Sequence, residues 1–321
     1  MEPVNKISKL KKTIGLIIII LSMHGCVNDD LSVCGVSVNF TYTKNLDKID
    51  LFAEKVDGID LFVFDSRDVY IGNYNERGGR LKSPGYSMSL NLFEGAYTFV
   101  AWGNLNEDYS LTEFVPGQTT LQEAELSLNR INNIVDRQLL APLYFGSEKV
   151  VLKPAEIANQ SITIDMMQDT KYITVLCKML PLGDPDDPEN EDEYTCTITS
   201  RNGDYNFENT ITGSNRLLYM PYQATVDTTT MRCDFTTLRE FNNYAVTSSR
   251  LTVEYTNTKN GQYKKLFDQD LVRDLLLPAS IMNDLDIEHD FIIELEFDFT
   301  SMAVAVTIGE WKHEFREYIL Y

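Results

Sequence analysis

The sequence of 321 residues is poor in the residue types that build catalytic and metal centres. It contains three histidines, five cysteines and two tryptophans, and it has no Cys-x-x-Cys pair. A zinc site needs several ligands at characteristic spacing, which the distant His289 and His313 do not supply. A nucleophile elbow, a phosphate-binding loop and a dinucleotide-binding glycine pattern are also missing. We therefore expect that the protein is not an enzyme and that it binds no metal and no cofactor. Carboxylates are abundant enough for a glycosidase pair, but nothing in the sequence singles one out.

Positive charge is scarce as well. Lys and Arg number 28 against 48 Asp and Glu, and the net charge is −20. Removal of an N-terminal leader that carries four lysines and one glutamate would leave about −23, a charge that repels phosphate backbones and anionic lipid. This argues against a nucleic-acid partner.

No apolar run is long enough to cross a membrane as a helix. The run Ile14–Leu21 has eight residues, whereas a bilayer core needs about 20. It follows four lysines and precedes the small residue Gly25, which is the order of a secretory signal peptide. We therefore predict that residues 1–25 are a signal peptide and exclude them from fold reasoning.

Cys26 follows this leader directly and resembles the lipidated cysteine of a bacterial lipoprotein, although Met23 and His24 depart from the usual pattern. Acyl chains such as palmitate on Cys26 would hold the chain on a membrane without a spanning helix. The alternative is a secreted protein whose Cys26 forms a disulfide. Residues 26–34 then form an acidic tether. Its Asn28, Asp29 and Asp30 resemble the export signal of Bacteroides-type lipoproteins. This resemblance predicts that the protein is located at the outer membrane, on its outer face. The alternative is that these residues form only a solvated spacer.

Four further cysteines could form disulfides in an exported protein, with three possible connectivities. Buried free thiols are the open alternative, because three of the four lie in apolar, strand-like segments. These cysteines are Cys34, Cys177, Cys196 and Cys233.

The hydrophobic pattern has a period of two residues along most of the chain, which is typical of half-buried β-strands. Residues 119–137 are the exception, because mixed three- and four-residue spacing allows one short helix there. Many short strands separated by turn residues predict an all-β protein of antiparallel β-sandwiches. We place an N-terminal sandwich at residues 35–158 and a C-terminal sandwich at residues 159–321.

Seven segments stand in this order along the chain: CVNDDLSVC, VDGIDLFVFDSRDVYIG, GAYTFVAWGN, PLYFGS, KYITVLCKM, DLLLPAS and VAVTIGEW. Together they resemble one family, the fimbrillin-associated anchor lipoproteins of Bacteroidetes-type (type V) fimbriae. The resemblance implies two tandem transthyretin-like β-sandwich domains and an anchor role at the base of a fimbrium. It also implies a fimbrillin partner, joined by strand exchange. The alternative function is a surface adhesin or glycan-binding module.

Three local features have competing interpretations. The C-terminal tail places Phe315, Ile319 and Tyr321 on one face, so it is a candidate donor strand or simply the last strand of the second sandwich. Trp102 could stack on a sugar, but its apolar neighbours favour a core position. The loop at 183–193 offers carboxylates for a cation, yet it lacks the spacing of a calcium loop and is better explained as a solvated hairpin. Its candidate ligands are Asp184, Asp186, Asp187 and Glu189.

Overall fold

The computed structural model describes residues 35–153, 160–182 and 192–316. The predicted signal peptide, the tether with Cys26, Cys34, most of the acidic loop and the last five residues lie outside these ranges. Among the described residues, no helix has the length and apolar character that a membrane span requires.

Strands dominate the described residues, because the period-two pattern buries alternate side chains. The strands in chain order are β1 Val36–Thr41, β2 Gly58–Phe64, β3 Tyr70–Arg77, β4 Ser87–Leu90, β5 Gly95–Gly103, β6 Tyr109–Leu111, β7 Glu125–Leu128, β8 Ile134–Val135, β9 Tyr144–Leu152, β10 Ser161–Asp165, β11 Met167–Gln168, β12 Thr170–Lys178, β13 Asp192–Ser200, β14 Asp204–Asn206, β15 Leu217–Tyr219, β16 Gln223–Val226, β17 Thr230–Leu238, β18 Arg250–Asn257, β19 Tyr263–Asp270, β20 Asp290–Asp298, β21 Ala303–Ile308 and β22 Trp311–Arg316.

In the described residues, helical structure is limited to short segments, the longest of which is the continuous stretch 271–279. These are the α-helices Phe52–Lys55, Tyr244–Thr247 and Leu277–Ala279, the 3₁₀ turn Gly78–Arg80 and the π-helical turn Leu271–Leu276. The all-β prediction is therefore confirmed.

The first sandwich packs a three-stranded sheet, β10-β1-β4, against a five-stranded sheet, β11-β9-β5-β2-β3. In β1 the alternating Val36, Val38 and Phe40 are buried. They share a hydrophobic core with residues of β2, β5 and β10, including Leu61, Ala101 and Ile164.

The second sandwich packs a six-stranded sheet, β16-β17-β12-β20-β21-β22, against a five-stranded sheet, β19-β18-β13-β15-β8. In β20 the odd-numbered residues from Phe291 to Phe297 are buried and the intervening residues are exposed or half-buried. The alternation of the strand pattern therefore assigns one face of this sheet to the core.

Backbone hydrogen bonds connect the two halves of the chain. The parallel pair β1–β10 joins Val38 to Ile162, and the small sheet β14-β7-β6 pairs Leu126 of β7 with Tyr205 of β14. A parallel pair also forms between β8 and β15, and another between β12 and β20, whereas the other strand pairs in the described residues are antiparallel. β10 begins just after the predicted boundary at residues 158 and 159 but pairs with β1. The division into two domains stays a prediction.

The prediction of a short helix within residues 119–137 is wrong. Residues 125–128 form β7, in which Leu126 and Leu128 are buried and the strand pairs with β6 on one edge and β14 on the other. The segment contains leucines at both two-residue and helical spacings. The segment forms a strand because β6 and β14 each supply main-chain hydrogen bonds to it.

Candidate functional site: the edge strand β22 and its surroundings

β22 lies at the edge of the six-stranded sheet and pairs only with β21 among the described strands. A two-residue loop, Gly309 and Glu310, joins the two strands, and Gly309 has a φ of 56°. Glycine at the first loop position allows the positive φ that tight hairpins need. Among the described residues no strand pairs with the other edge of β22, and the edge of a sheet is where a further strand can add.

An aromatic row covers one face of β22. The rings of Trp311 and His313 stack with centroids 5.8 Å apart, and His313 meets Phe315 edge-on at 4.5 Å. Phe315 in turn packs edge-on against Phe267 of β19, at 5.7 Å. The row bridges the edges of the two facing sheets, and its outermost member, His313, is exposed.

The predicted donor residue Phe315 is thus part of its own sandwich. It pairs with Val304 of β21 and packs against the core. Up to Arg316 the tail is the last strand of the sheet, which is the alternative that the sequence left open. Ile319 and Tyr321 lie outside the described residues, and their donor role stays a prediction.

The first strand is integrated on both sides. β1 pairs with β4 through Val38 and Met88, and with β10 through Val38 and Ile162. Val36 and Val38 have no exposed surface. Withdrawal of β1 would break two ladders and open the first core.

A buried cluster of charged groups lies where the two sandwiches meet. Lys171 has no exposed surface, and its Nζ donates to the carbonyl oxygens of Leu285 and Glu288 and to Nδ1 of His289 at 2.9 Å. Burial, with the nearby Lys171 charge, lowers the pKa of His289 to about 2. His289 is therefore neutral and accepts at Nδ1, and its ring faces that of Tyr42 from the first sandwich, 6.4 Å away. The cluster ties the two sandwiches together.

Two further carboxyls, those of Glu240 and Asp169, have no exposed surface. Glu240 accepts from Asn202 at 3.1 Å and from Ser249 at 2.5 Å, and burial raises its pKa to about 7. Asp169 accepts from Asn209 at 3.2 Å, and burial raises its pKa to about 6. Sequence reasoning missed both carboxyls. It also missed Lys171. This residue lies on the inward face of β12, together with Ile173, Val175 and Cys177, and a charged residue in that alternating pattern could have been noticed.

Trp102 and three of the cysteines are buried in the structure. Trp102 is fully buried against Phe145, with ring centroids 4.9 Å apart, so it cannot stack on a sugar. Cys177, Cys196 and Cys233 are buried free thiols. Hydrogen bonding of Cys196 with the other two, together with burial, raises its pKa.

The other predicted residues lie outside the described ranges, so their roles stay predictions. Within those ranges, no group of three or more His, Cys, Asp or Glu side chains is arranged to hold a metal ion. The residues outside are Cys26, Asn28, Asp29, Asp30 and Cys34, together with the acidic-loop carboxylates Asp184, Asp186, Asp187 and Glu189.

The paired sheets define a multi-sheet β-sandwich protein. The chain belongs to the family of fimbrillin-A associated anchor proteins Mfa1 and Mfa2, whose family model matches residues 31–317. The predicted resemblance is therefore confirmed. The family consists of structural fimbrial anchor proteins and implies association with fimbriae at the cell envelope, so the expectation of a non-enzymatic protein is also confirmed.

Individual relatives agree with this assignment. The minor fimbrium anchoring subunit Mfa2 of Porphyromonas gingivalis is 29% identical over 229 residues, which is 68% of this chain and 66%, just under two thirds, of that protein. A Bacteroides thetaiotaomicron structure described as a candidate polysaccharide-binding protein superposes with a TM-score of 0.74 at 26% identity, covering 89% of this chain and 100% of that chain. The fimbrial anchor protein Mfa2 structure from P. gingivalis gives a TM-score of 0.70 at 24% identity, covering 87% and 98%. At that identity the last comparison supports the fold alone.

Proposed function

We propose that this protein is a lipid-anchored base subunit that attaches a fimbrium to the outer membrane and joins a fimbrillin by strand exchange. Family membership supports the anchor role. The observation that carries the proposal is the placement of β1, because a strand held between two neighbours is retained by its own domain. A subunit that keeps its first strand can end a chain of strand exchanges, which is what a terminal subunit requires.

The lipid is assigned to Cys26. A tether of residues 26–34 then leads directly into β1, so the first sandwich lies next to the membrane. Several acyl chains make such attachment long-lived, since each buried methylene contributes about 0.8 kcal/mol.

The joint with the fimbrillin is assigned to β22. Since Phe315 is already engaged in its own sandwich, the partner strand would add to the outer edge of β22, in the manner of β-strand augmentation. Main-chain hydrogen bonds would provide affinity, and the aromatic row on β22, with its exposed His313, would provide side-chain contacts.

The anchor proposal is tested in intact cells with Cys26→Ala, and Cys34→Ala is the matched control. We expect Cys26→Ala cells to shed fimbriae into the medium, whereas Cys34→Ala cells retain them. Cross-linking mass spectrometry of wild-type cells should join the C-terminal sandwich to a fimbrillin. Retention of fimbriae by Cys26→Ala cells, with no fimbrillin cross-links in the wild type, would refute the proposal.

A glycan-binding function is the second candidate, and one observation favours it. Trp311 is half-buried at the surface and lines a cavity, and the B. thetaiotaomicron relative is described as a candidate polysaccharide-binding protein. A glycan array probed with wild type and Trp311→Ala separates the two functions. Binding of a glycan that Trp311→Ala abolishes would support this second function.

A further inference from the structure

The strand pairing of the first sandwich brings the start of β1 together with the ends of its neighbours. β1 and β4 are antiparallel, with Val36 opposite Leu90, so β4 ends where β1 begins. In the facing sheet Gly95 lies opposite Leu152, so β5 begins where β9 ends. The turn of residues 91–94 joins β4 to β5 and places these two meeting points at one end of the sandwich. We call Val36, residues 90–97 and residues 150–152 the tether end, because residues 26–34 lead into it.

Two large apolar side chains are exposed at the tether end. Phe93, in the turn of residues 91–94, is 86% exposed, more than any other large apolar side chain that the structure describes, and Val151 is 61% exposed. The turn is held in place from both sides of Phe93. Leu92 packs against the first core, and the Tyr97 hydroxyl donates to the Phe93 carbonyl oxygen at 3.2 Å. Since removal of an aromatic ring from water is favourable, this turn is suited to contact with an apolar phase.

Charges of both signs surround these apolar residues. Asp65 and Arg67 lie in the turn between β2 and β3, at the same end of the sandwich, and pair at 2.8 Å. Glu94 and Lys149 are exposed. The chain as a whole carries a net charge of −20, which anionic headgroups would repel. Charges of mixed sign suit zwitterionic headgroups instead, because charged side chains can stay at the headgroup level while an apolar ring enters the acyl boundary.

The tether determines which surface a bilayer would meet first. Residues 26–34 can span at most about 30 Å when fully extended, and they lead to the start of β1. The other end of β1 lies about 20 Å further on, at about 3.3 Å per residue. That opposite end faces the second sandwich, where the ring of Tyr42 lies 6.4 Å from the ring of His289. A bilayer that holds Cys26 therefore meets the tether end first, and the second sandwich is directed away from it.

We propose that the tether end is a membrane-contact surface for a zwitterionic lipid bilayer. Phe93 enters the boundary between headgroups and acyl chains, and Val151 lies against the headgroups. The lipid on Cys26 supplies the attachment, and Phe93 supplies a second contact that limits rotation of the first sandwich about its tether. The inference rests on the proposed function in placing a lipid on Cys26.

Phosphatidylcholine vesicles with brominated acyl chains test the contact. The chain of residues 26–321 with Cys34→Ala is coupled through Cys26 to a maleimide lipid, while the three buried thiols stay unreacted. Phe93→Trp is the probe, and the emission of the parent protein is subtracted. We expect the emission of the added tryptophan to be about twofold lower in brominated than in unbrominated vesicles, because bromine quenches a ring that reaches the acyl boundary.

Ile49→Trp is the matched control, because Ile49 is 55% exposed and follows β1 at the opposite end of the same sandwich. Its emission should be the same in both kinds of vesicle. Val151→Trp should be quenched less than Phe93→Trp and more than Ile49→Trp. Unquenched Phe93→Trp, or equal quenching of Phe93→Trp and Ile49→Trp, would overturn the contact surface.

A separate measurement distinguishes this inference from the anchor proposal. Mass spectrometry of the protein extracted from cells should find acyl chains on Cys26 in the wild type and none in Cys26→Ala. An unacylated Cys26 would count against the anchor proposal itself. Unquenched Phe93→Trp in vesicles, together with an acylated Cys26 in cells, would refute the contact surface alone.

Discussion

The buried carboxyl of Glu240 makes stability depend on pH in a way that one substitution isolates. Glu240 has no exposed surface, and burial raises its pKa from 4.5 to about 7. Because the folded pKa lies above the unfolded one, the protonated form is favoured by folding. The contribution of Glu240 to stability is therefore fully present below pH 4.5 and is lost as the pH rises through 7.

The size of this effect follows from the shift. One pKa unit corresponds to about 1.4 kcal/mol, so ionising Glu240 in the folded state costs about 3 kcal/mol. Of this, about 2.5 kcal/mol falls between pH 5 and pH 8. Glutamine cannot ionise and keeps an oxygen that accepts from Asn202.

The measurement is urea unfolding of wild type and Glu240→Gln at pH 5 and pH 8. We expect the free energy of unfolding of Glu240→Gln, relative to wild type, to be about 2.5 kcal/mol higher at pH 8 than at pH 5. The comparison uses the difference between proteins because Asp169 and His289 also change protonation between the folded and unfolded states. Their effects cancel when the two proteins share them.

Glu148→Gln is the control, because Glu148 is exposed on β9. Its stability relative to wild type should change little between the two pH values. If Glu240→Gln behaves like Glu148→Gln, then Glu240 is either solvated or ionised in the folded protein, and the reasoning from burial fails.

Three further predictions concern the core. Trp102→Ala should lower the free energy of unfolding by about 3–5 kcal/mol because Trp102 is fully buried. Trp311→Ala should lower it far less, because Trp311 is half-buried. Chemical denaturation measures both losses of stability, and equal losses would contradict the assigned burial. Gly146→Ala should lower the free energy of unfolding by about 1–3 kcal/mol, since an added Cβ would lie 2.6 Å from Ile164. Gly72→Ala is the control, because the space around Gly72 is open. Equal melting temperatures for the two variants would refute the close packing around Gly146. Cys177, Cys196 and Cys233 should resist alkylation in the native protein and react after unfolding without reductant, as mass spectrometry can show; failure to react after unfolding would reveal a disulfide.

Much of the fold could be read from local sequence. The alternation in β1, β10, β12 and β20 predicted both strand positions and buried faces, because side chains on a strand point to opposite sides at every step. Trp102 was assigned to the core from its apolar neighbours alone. The helix allowed at residues 119–137 was wrong, since the same leucines fit two periods and only the pairing partners of β7 choose between them.

The sequence by itself therefore determined the class of fold and the inward faces of the strands, since both are short-range patterns. Only the tertiary structure decided that β1 pairs with β10, that Lys171 meets His289, and that Phe93 and Val151 lie at the end of the first sandwich where β1 begins. These groups lie up to 120 residues or so apart in the chain, and no local period specifies which strands become neighbours. Pairing is set by how the sheets bury their apolar faces together, so sites that span several strands emerge only when the whole chain is packed.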